Sequence, residues 1–147
     1  MDAGPTLVGL VFQVAGAWQV LSIPLPNKIM LLPPNKRQQA AELHGIVEAI
    51  KVCTTWNIIA PTIVLDSTSA FGATLKGSTN IGSWIRIKTL QKINNLCCRL
   101  SFLGFLQLIN TRFHPADEPS RFEFAYPTPA PPSVLRLLRL IEDNPAL

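Results

Sequence analysis

Residues 7–26, LVGLVFQVAGAWQVLSIPLP, form a twenty-residue run without one charged side chain. Such a run has to leave water, either inside a folded core or in a bilayer. Several details point to the core. The only charged side chain ahead of it is Asp2, so it lacks the basic flank of a signal segment. Gln13 and Gln19 are costly in hydrocarbon, and Pro24 and Pro26 close the run. Ala15-Gly16-Ala17 divides it into two strand-length pieces, Leu7–Val14 and Trp18–Leu25, which predicts a buried β-hairpin. A small membrane-associated protein anchored by residues 7–26 is the competing reading.

Proline placement organises the remainder. Of thirteen prolines, six fall in residues 1–61, none in 62–114 and seven in 115–147, so the middle span should be the most regular. Asn27–Asn35, with Pro33-Pro34, reads as a loop. Leu43, Ile46, Val47, Ile50 and Cys53 recur at helical spacing and predict a helix over Lys36–Trp56. Thr62–Leu65 is apolar on both faces, as a buried central strand is, and ends at Asp66. Helices are predicted over Ser67–Leu75 and Ser83–Leu100, then a strand within Phe102–Ile109. Ser133 is placed to cap a short amphipathic helix, Val134–Ile141, in a proline-rich tail spanning 123–147. The expected class is α/β, a mixed sheet covered by helices.

The chain carries thirteen Lys and Arg against nine Asp and Glu, and within residues 1–114 the ratio is ten to four. That balance favours a polyanionic partner. Lys88, Lys92, Asn95 and Arg99 lie at i, i+4, i+7 and i+11, on one helix face, and no acid occurs in 67–116 to oppose them. A solvated face is the ordinary reading of such a stripe; here contact with nucleic-acid phosphates is the expectation. Cys53, Cys97 and Cys98 are too few for a disulfide scaffold or a zinc cage. Unpaired thiols without a targeting segment suit an intracellular setting.

The acids are sparse enough to ask what each is for. Asp2 lies at the mouth of the first strand, Glu42 on the core side of the long helix, Asp66 at the end of the central strand, and Asp117 after the last strand. Strand ends are where α/β sheets collect ligands, and carboxylates gathered there repel one another unless a cation intervenes. Hard oxygen donors suit Mg²⁺ or Mn²⁺, and two such ions serve phosphodiester hydrolysis. Each acid also has a plainer reading. Asp66 is placed as a helix N-cap, Glu48 as a solvated side chain without a role, and Glu118 is the alternative to Asp117. Ser120 and Arg121 either brace the turn after Asp117 or contact a phosphate. Trp56 and Trp84 read as core.

The words around these acids carry more than their spacing. Asp2-Ala3-Gly4-Pro5-Thr6-Leu7-Val8-Gly9, Ala41-Glu42-Leu43, Leu65-Asp66-Ser67 and Pro115-Ala116-Asp117-Glu118-Pro119-Ser120-Arg121 follow one another in that order. Over residues 1–122 the chain resembles ribonuclease H domains, above all the one that ends the reverse-transcriptase polyprotein of hepadnaviruses and related retroelements. That resemblance implies Asp2, Glu42, Asp66 and Asp117 as ligands of two Mg²⁺ or Mn²⁺ ions. It also implies cleavage of the RNA strand of RNA–DNA hybrids, with a reverse-transcriptase domain upstream as partner and no membrane. Lys88, Lys92, Arg99 and Arg121 are the expected contacts to the hybrid.

The implied fold is a five-stranded mixed sheet in the order 3-2-1-4-5, flanked by helices. Its third strand would have to come from Lys28–Leu32, revising the loop expected there. The family's first acid sits mid-strand, whereas one residue precedes Asp2 here, so a truncated first strand is expected. A non-catalytic module of the same fold, structural or nucleic-acid-binding, is the alternative this departure favours. His114, three residues before Asp117, stands in a different word from the mobile histidine of cellular ribonucleases H and is given no role.

Overall fold

A computed structural model describes residues 1–76, 84–99 and 105–144. The chain begins with a short strand β1 (Asp2–Ala3), followed by the hairpin β2 (Leu7–Val14) and β3 (Ala17–Pro24). One helical turn, α1 (Asn27–Met30), leads into the long helix α2 (Pro34–Thr55). Then come β4 (Thr62–Leu65), α3 (Thr68–Lys76), α4 (Trp84–Arg99) and β5 (Phe105–Leu108). A 3₁₀ turn (Thr111–Phe113), α5 (Asp117–Arg121), β6 (Thr128–Pro129) and α6 (Pro132–Asp143) complete the order. The architecture is mixed α/β.

The uncharged run is the expected hairpin. Its eight pairs run from Leu7↔Pro24 to Val14↔Ala17, and Ala15 and Gly16 turn the chain at φ 51° and 81°. Positive φ at both central residues is the two-residue turn that matches strand twist, and glycine adopts it without a Cβ penalty. No helix among the described residues is long and apolar enough to cross a membrane.

Strands β1-β2-β3-β6 form an antiparallel sheet, and β4 and β5 a parallel pair. Between them the Met1 nitrogen donates to the Val64 carbonyl at 3.0 Å. Helix α2 covers this layer, burying Leu43, Ile46, Val47 and Ile50 at 2 % exposure or less against Val8, Leu10 and Leu65. Burial of this kind stabilises by about 25 cal/mol per Å² of apolar area.

Several expectations are corrected. Lys28–Leu32 is not a strand: prolines at 24, 26 and 33 bracket the segment, Pro26 presets a helical entry, and only Ile29 is buried. The extra strand is Asp2–Ala3. Ser133 does not cap α6, whose first turn begins at Pro132 after Pro131; its hydroxyl donates to the Glu118 carboxylate instead. Glu48 is not freely solvated: its side chain is 14 % exposed, 3.2 Å from His44 and 3.7 Å from Lys51. Trp56 is half exposed, with its ring 6.3 Å from that of Phe12. The tail is fastened to β3, where Gln19 and Val20 pair with Pro129 and Thr128. The Phe124 carbonyl accepts from the Ser22 nitrogen at 2.8 Å. The helix ends expected at Ser83 and Leu100, the strand start at 102–104 and the side chains of Trp84 and Arg99 lie outside the described residues.

Candidate metal centre

Asp2, Glu42, Asp66 and Asp117 come from four separate elements and line one cleft of about 720 Å³. Asp2 stands on β1, Glu42 on α2, Asp66 just past β4 and Asp117 at the start of α5. Glu118 points away, toward Ser133, so of the two adjacent acids Asp117 is the one in the cleft.

Two glycines permit this convergence. A Cβ on Gly9 would stand 2.3 Å from the Ser120 nitrogen and 2.5 Å from the Ala116 carbonyl oxygen. One on Gly4 would stand 2.1 Å from the Ser120 carbonyl oxygen. Only hydrogen fits there, so α5 presses its backbone onto β1 and β2 and carries Asp117 toward Asp2. Ser120, 1 % exposed, fixes the contact: its hydroxyl lies 3.0 Å from Asp2 Oδ2 and 2.6 Å from the Asp117 carbonyl oxygen. This residue therefore braces the turn. Arg121 is exposed, and its Nε donates to Asp117 Oδ1 at 3.1 Å.

Glu42 is the most confined of the four, 4 % exposed. Gln38, one turn earlier, donates to Glu42 Oε1 at 2.9 Å and to the Ala3 carbonyl at 2.7 Å, tying α2 to β1. Glu42 Oε2 is buried without any hydrogen-bond partner. Burial first, then the charges of Asp2 and Asp66, pushes the Glu42 carboxyl up to about 8. Burial and Asp66 also raise Asp2, against the opposing Ser120 hydrogen bond. A buried, unpaired carboxylate oxygen costs several kcal/mol, and a hard cation removes that cost. The donor set thus fits a divalent metal.

Asp2, Asp66 and His114 each present a ligand atom within 4.8 Å of the others, so this buried group could hold a metal ion. The histidine is already engaged on both ring nitrogens. Nε2 lies 2.6 Å from the Met1 carbonyl oxygen, and Nδ1 accepts from the Ala116 nitrogen at 3.3 Å. Burial lowers its pKa to about 3, so the ring is neutral, with the Nε2 hydrogen on the carbonyl. A metal would have to displace one of these bonds, whereas Glu42 Oε2 has none to displace.

Lys88 and Lys92 are exposed on α4. That helix is joined to the cleft rim by Arg86, which donates to Gln39 Oε1 at 2.6 Å. Desolvation first, then repulsion by Lys51 and Lys28, lowers the Lys92 pKa.

Sequence reasoning missed Gln38, Gly4, Gly9 and the inward-facing His114. Gln38 was legible as the residue one turn before Glu42, and Gly9 as the last letter of the first motif. His114 gave no signal, because its environment is built by Met1 and Ala116. No family model, curated protein or solved structure matches the chain.

Proposed function

We propose that this chain is a ribonuclease H-like nuclease that hydrolyses the RNA strand of RNA–DNA hybrids using two divalent cations. The observation that carries the reading is the meeting of four acids, from four words of the sequence, in one cleft where Glu42 keeps an orphaned oxygen. The Met1–Val64 hydrogen bond between the two sheets supports the strand order 3-2-1-4-5 for β1 to β5. Asp2, Glu42, Asp66 and Asp117 would hold Mg²⁺ or Mn²⁺, which supplies Lewis-acid activation of water and of the leaving oxygen. Gln38 and Ser120 orient Glu42 and Asp2. The α4 face would take phosphates, and selectivity for the hybrid would come from RNA 2′-hydroxyls and duplex shape.

Cleavage of a labelled RNA–DNA hybrid in Mg²⁺ or Mn²⁺ tests the reading. Asp66→Asn should abolish it; equal cleavage by wild type and variant would overturn the assignment. A second reading, a non-catalytic binding module, is favoured by the Arg121–Asp117 ion pair, which occupies an oxygen a cation would need. It predicts salt-sensitive hybrid binding without metal-dependent cleavage.

A further inference from the structure

Residues 122–132 join α5 to α6 and lie outside the lining of the carboxylate cleft. One side of this segment is fastened to β3. The Phe124 N–H donates to Ser22 Oγ at 3.0 Å, and Thr128 and Pro129 pair with Val20 and Gln19. Ala130 donates to the Trp18 carbonyl at 2.9 Å. Ala130 and Val134 then pack with Val20 in a small core of their own, with Trp18 and Phe124 against it.

The other side is open. Pro129 and Pro132 are exposed, whereas Thr128, Ala130 and Pro131 between them are half-buried or buried. Proline fixes φ, and Pro131 stands at φ −68° and ψ 161°, in the polyproline II region. That conformation has about three residues per turn, so Pro129 and Pro132 fall on one edge. Because the backbone groups of Thr128 and Ala130 are spent on β3, the carbonyl of Pro129 is turned outward beside them. Three residues before Pro129 stands Tyr126, 80 % exposed, with its carbonyl held by the Thr128 hydroxyl at 2.7 Å. Among the described residues β6 is the last strand of its sheet.

The chemistry of this edge selects its occupant. No charged side chain occurs from Phe124 to Leu135, so a polyanion gains nothing there. Thr128-Pro129-Ala130-Pro131-Pro132 holds two Xaa-Pro pairs separated by one residue, with its outer prolines three apart. Proline rings at that spacing fit aromatic-lined grooves, whose indole and phenol donors take the free carbonyls. Ordering the segment in advance lowers the entropy lost on binding.

We propose that residues 126–132 are a protein-docking surface for a partner domain whose groove carries adjacent aromatic slots. Pro129 and Pro132 enter two slots, and Tyr126 packs at the groove's end. Strand β3 serves as the splint that keeps the segment extended. No residue of this surface lines the carboxylate cleft, so it stands or falls apart from the nuclease reading.

A panel of purified Src-homology-3 domains, probed with the full chain at about 100 µM, tests this. At least one domain should bind, and Pro129→Ala combined with Pro132→Ala should weaken that binding about tenfold or more. Tyr126→Ala should also weaken it while leaving the melting temperature unchanged, which separates a lost contact from a lost fold. Absence of binding across the panel would overturn the proposal, as would undiminished binding by either variant. A dimer of the chain alone that the double variant dissociates would overturn it too, assigning this edge to a second copy.

Discussion

Two openings sit back to back beside β1, the carboxylate cleft and an apolar cavity of about 440 Å³, and their chemistry is opposite. Toward Asp2 the lining is four carboxylates with Ser67, Ser69 and Thr111; toward Met1 it is Leu10, Phe12, Val52 and Ile63. The first side sets four carboxylates against the guanidinium of Arg121 in its lining, and the second presents mostly apolar side chains. Neighbouring residues on one strand can therefore serve chemically unrelated demands, because each opening takes its character from the elements that close over it. Around the acids these are α2 and α5; around the apolar groove they are α2 and α6.

Gly9→Ala should disturb that arrangement most, since it forces α5 away from the strands that separate the openings. The clash is with backbone atoms of Ala116, Pro119 and Ser120, so a loss of about 3 kcal/mol or more is expected in urea denaturation. A variant as stable as wild type would show that the close approach is not required.

The next largest effect belongs to the acidic side alone. Glu42 has a folded pKa of about 8 against 4.5 unfolded, so folding favours its protonated form and stability falls as pH rises through that window. Asp2 acts in the same direction. His114 opposes them: its folded pKa, about 3 against 6.5, makes stability fall as pH drops below 6.5. From pH 6.5 to 8 the buried Met1 amine, held below its ordinary 8.0 by desolvation, acts against the carboxyls, so the loss of about 2 kcal/mol due to Glu42 shows as the difference between metal-free wild type and Glu42→Gln. Saturating Mg²⁺ should shrink that difference; wild type and Glu42→Gln whose melting temperatures change alike over this range in EDTA would contradict the crowding of charge.

Ser120→Ala should have the smallest effect, about 1–2 kcal/mol, because the hydroxyl bridges two oxygens without filling much volume. Chemical denaturation in EDTA measures it. A loss as large as that from Gly9→Ala would mean the hydroxyl, not the glycine contact, holds α5 in place.

Much of this was legible in the sequence because the signals were local. The hairpin was written in an uncharged run with a glycine at its middle, and α2 in the spacing of Leu43, Ile46 and Ile50. The four acids were singled out by the words around them, and the cleft does bring them together. What escaped depended on distant partners. Lys28–Leu32 reads locally as a loop and was expected as a strand only through the resemblance, but strands need an edge to pair with, and the prolines around it turned the chain into α1. Glu48 looked exposed, but His44 and Lys51 on its own helix flank it. Gly4 and Gly9 owe their identity to a helix more than a hundred residues later.

The proline-rich tail has a consequence for self-association. Ala130 donates its N–H inward to Trp18, so the amide positions at 127, 129 and 131 face outward, and all three are prolines. The outer margin of β6 therefore offers no N–H for another chain to accept. A long, uncharged hairpin is the kind of sequence that templates edge-to-edge aggregation, and this molecule borders that sheet with a strand whose outward amide positions donate nothing.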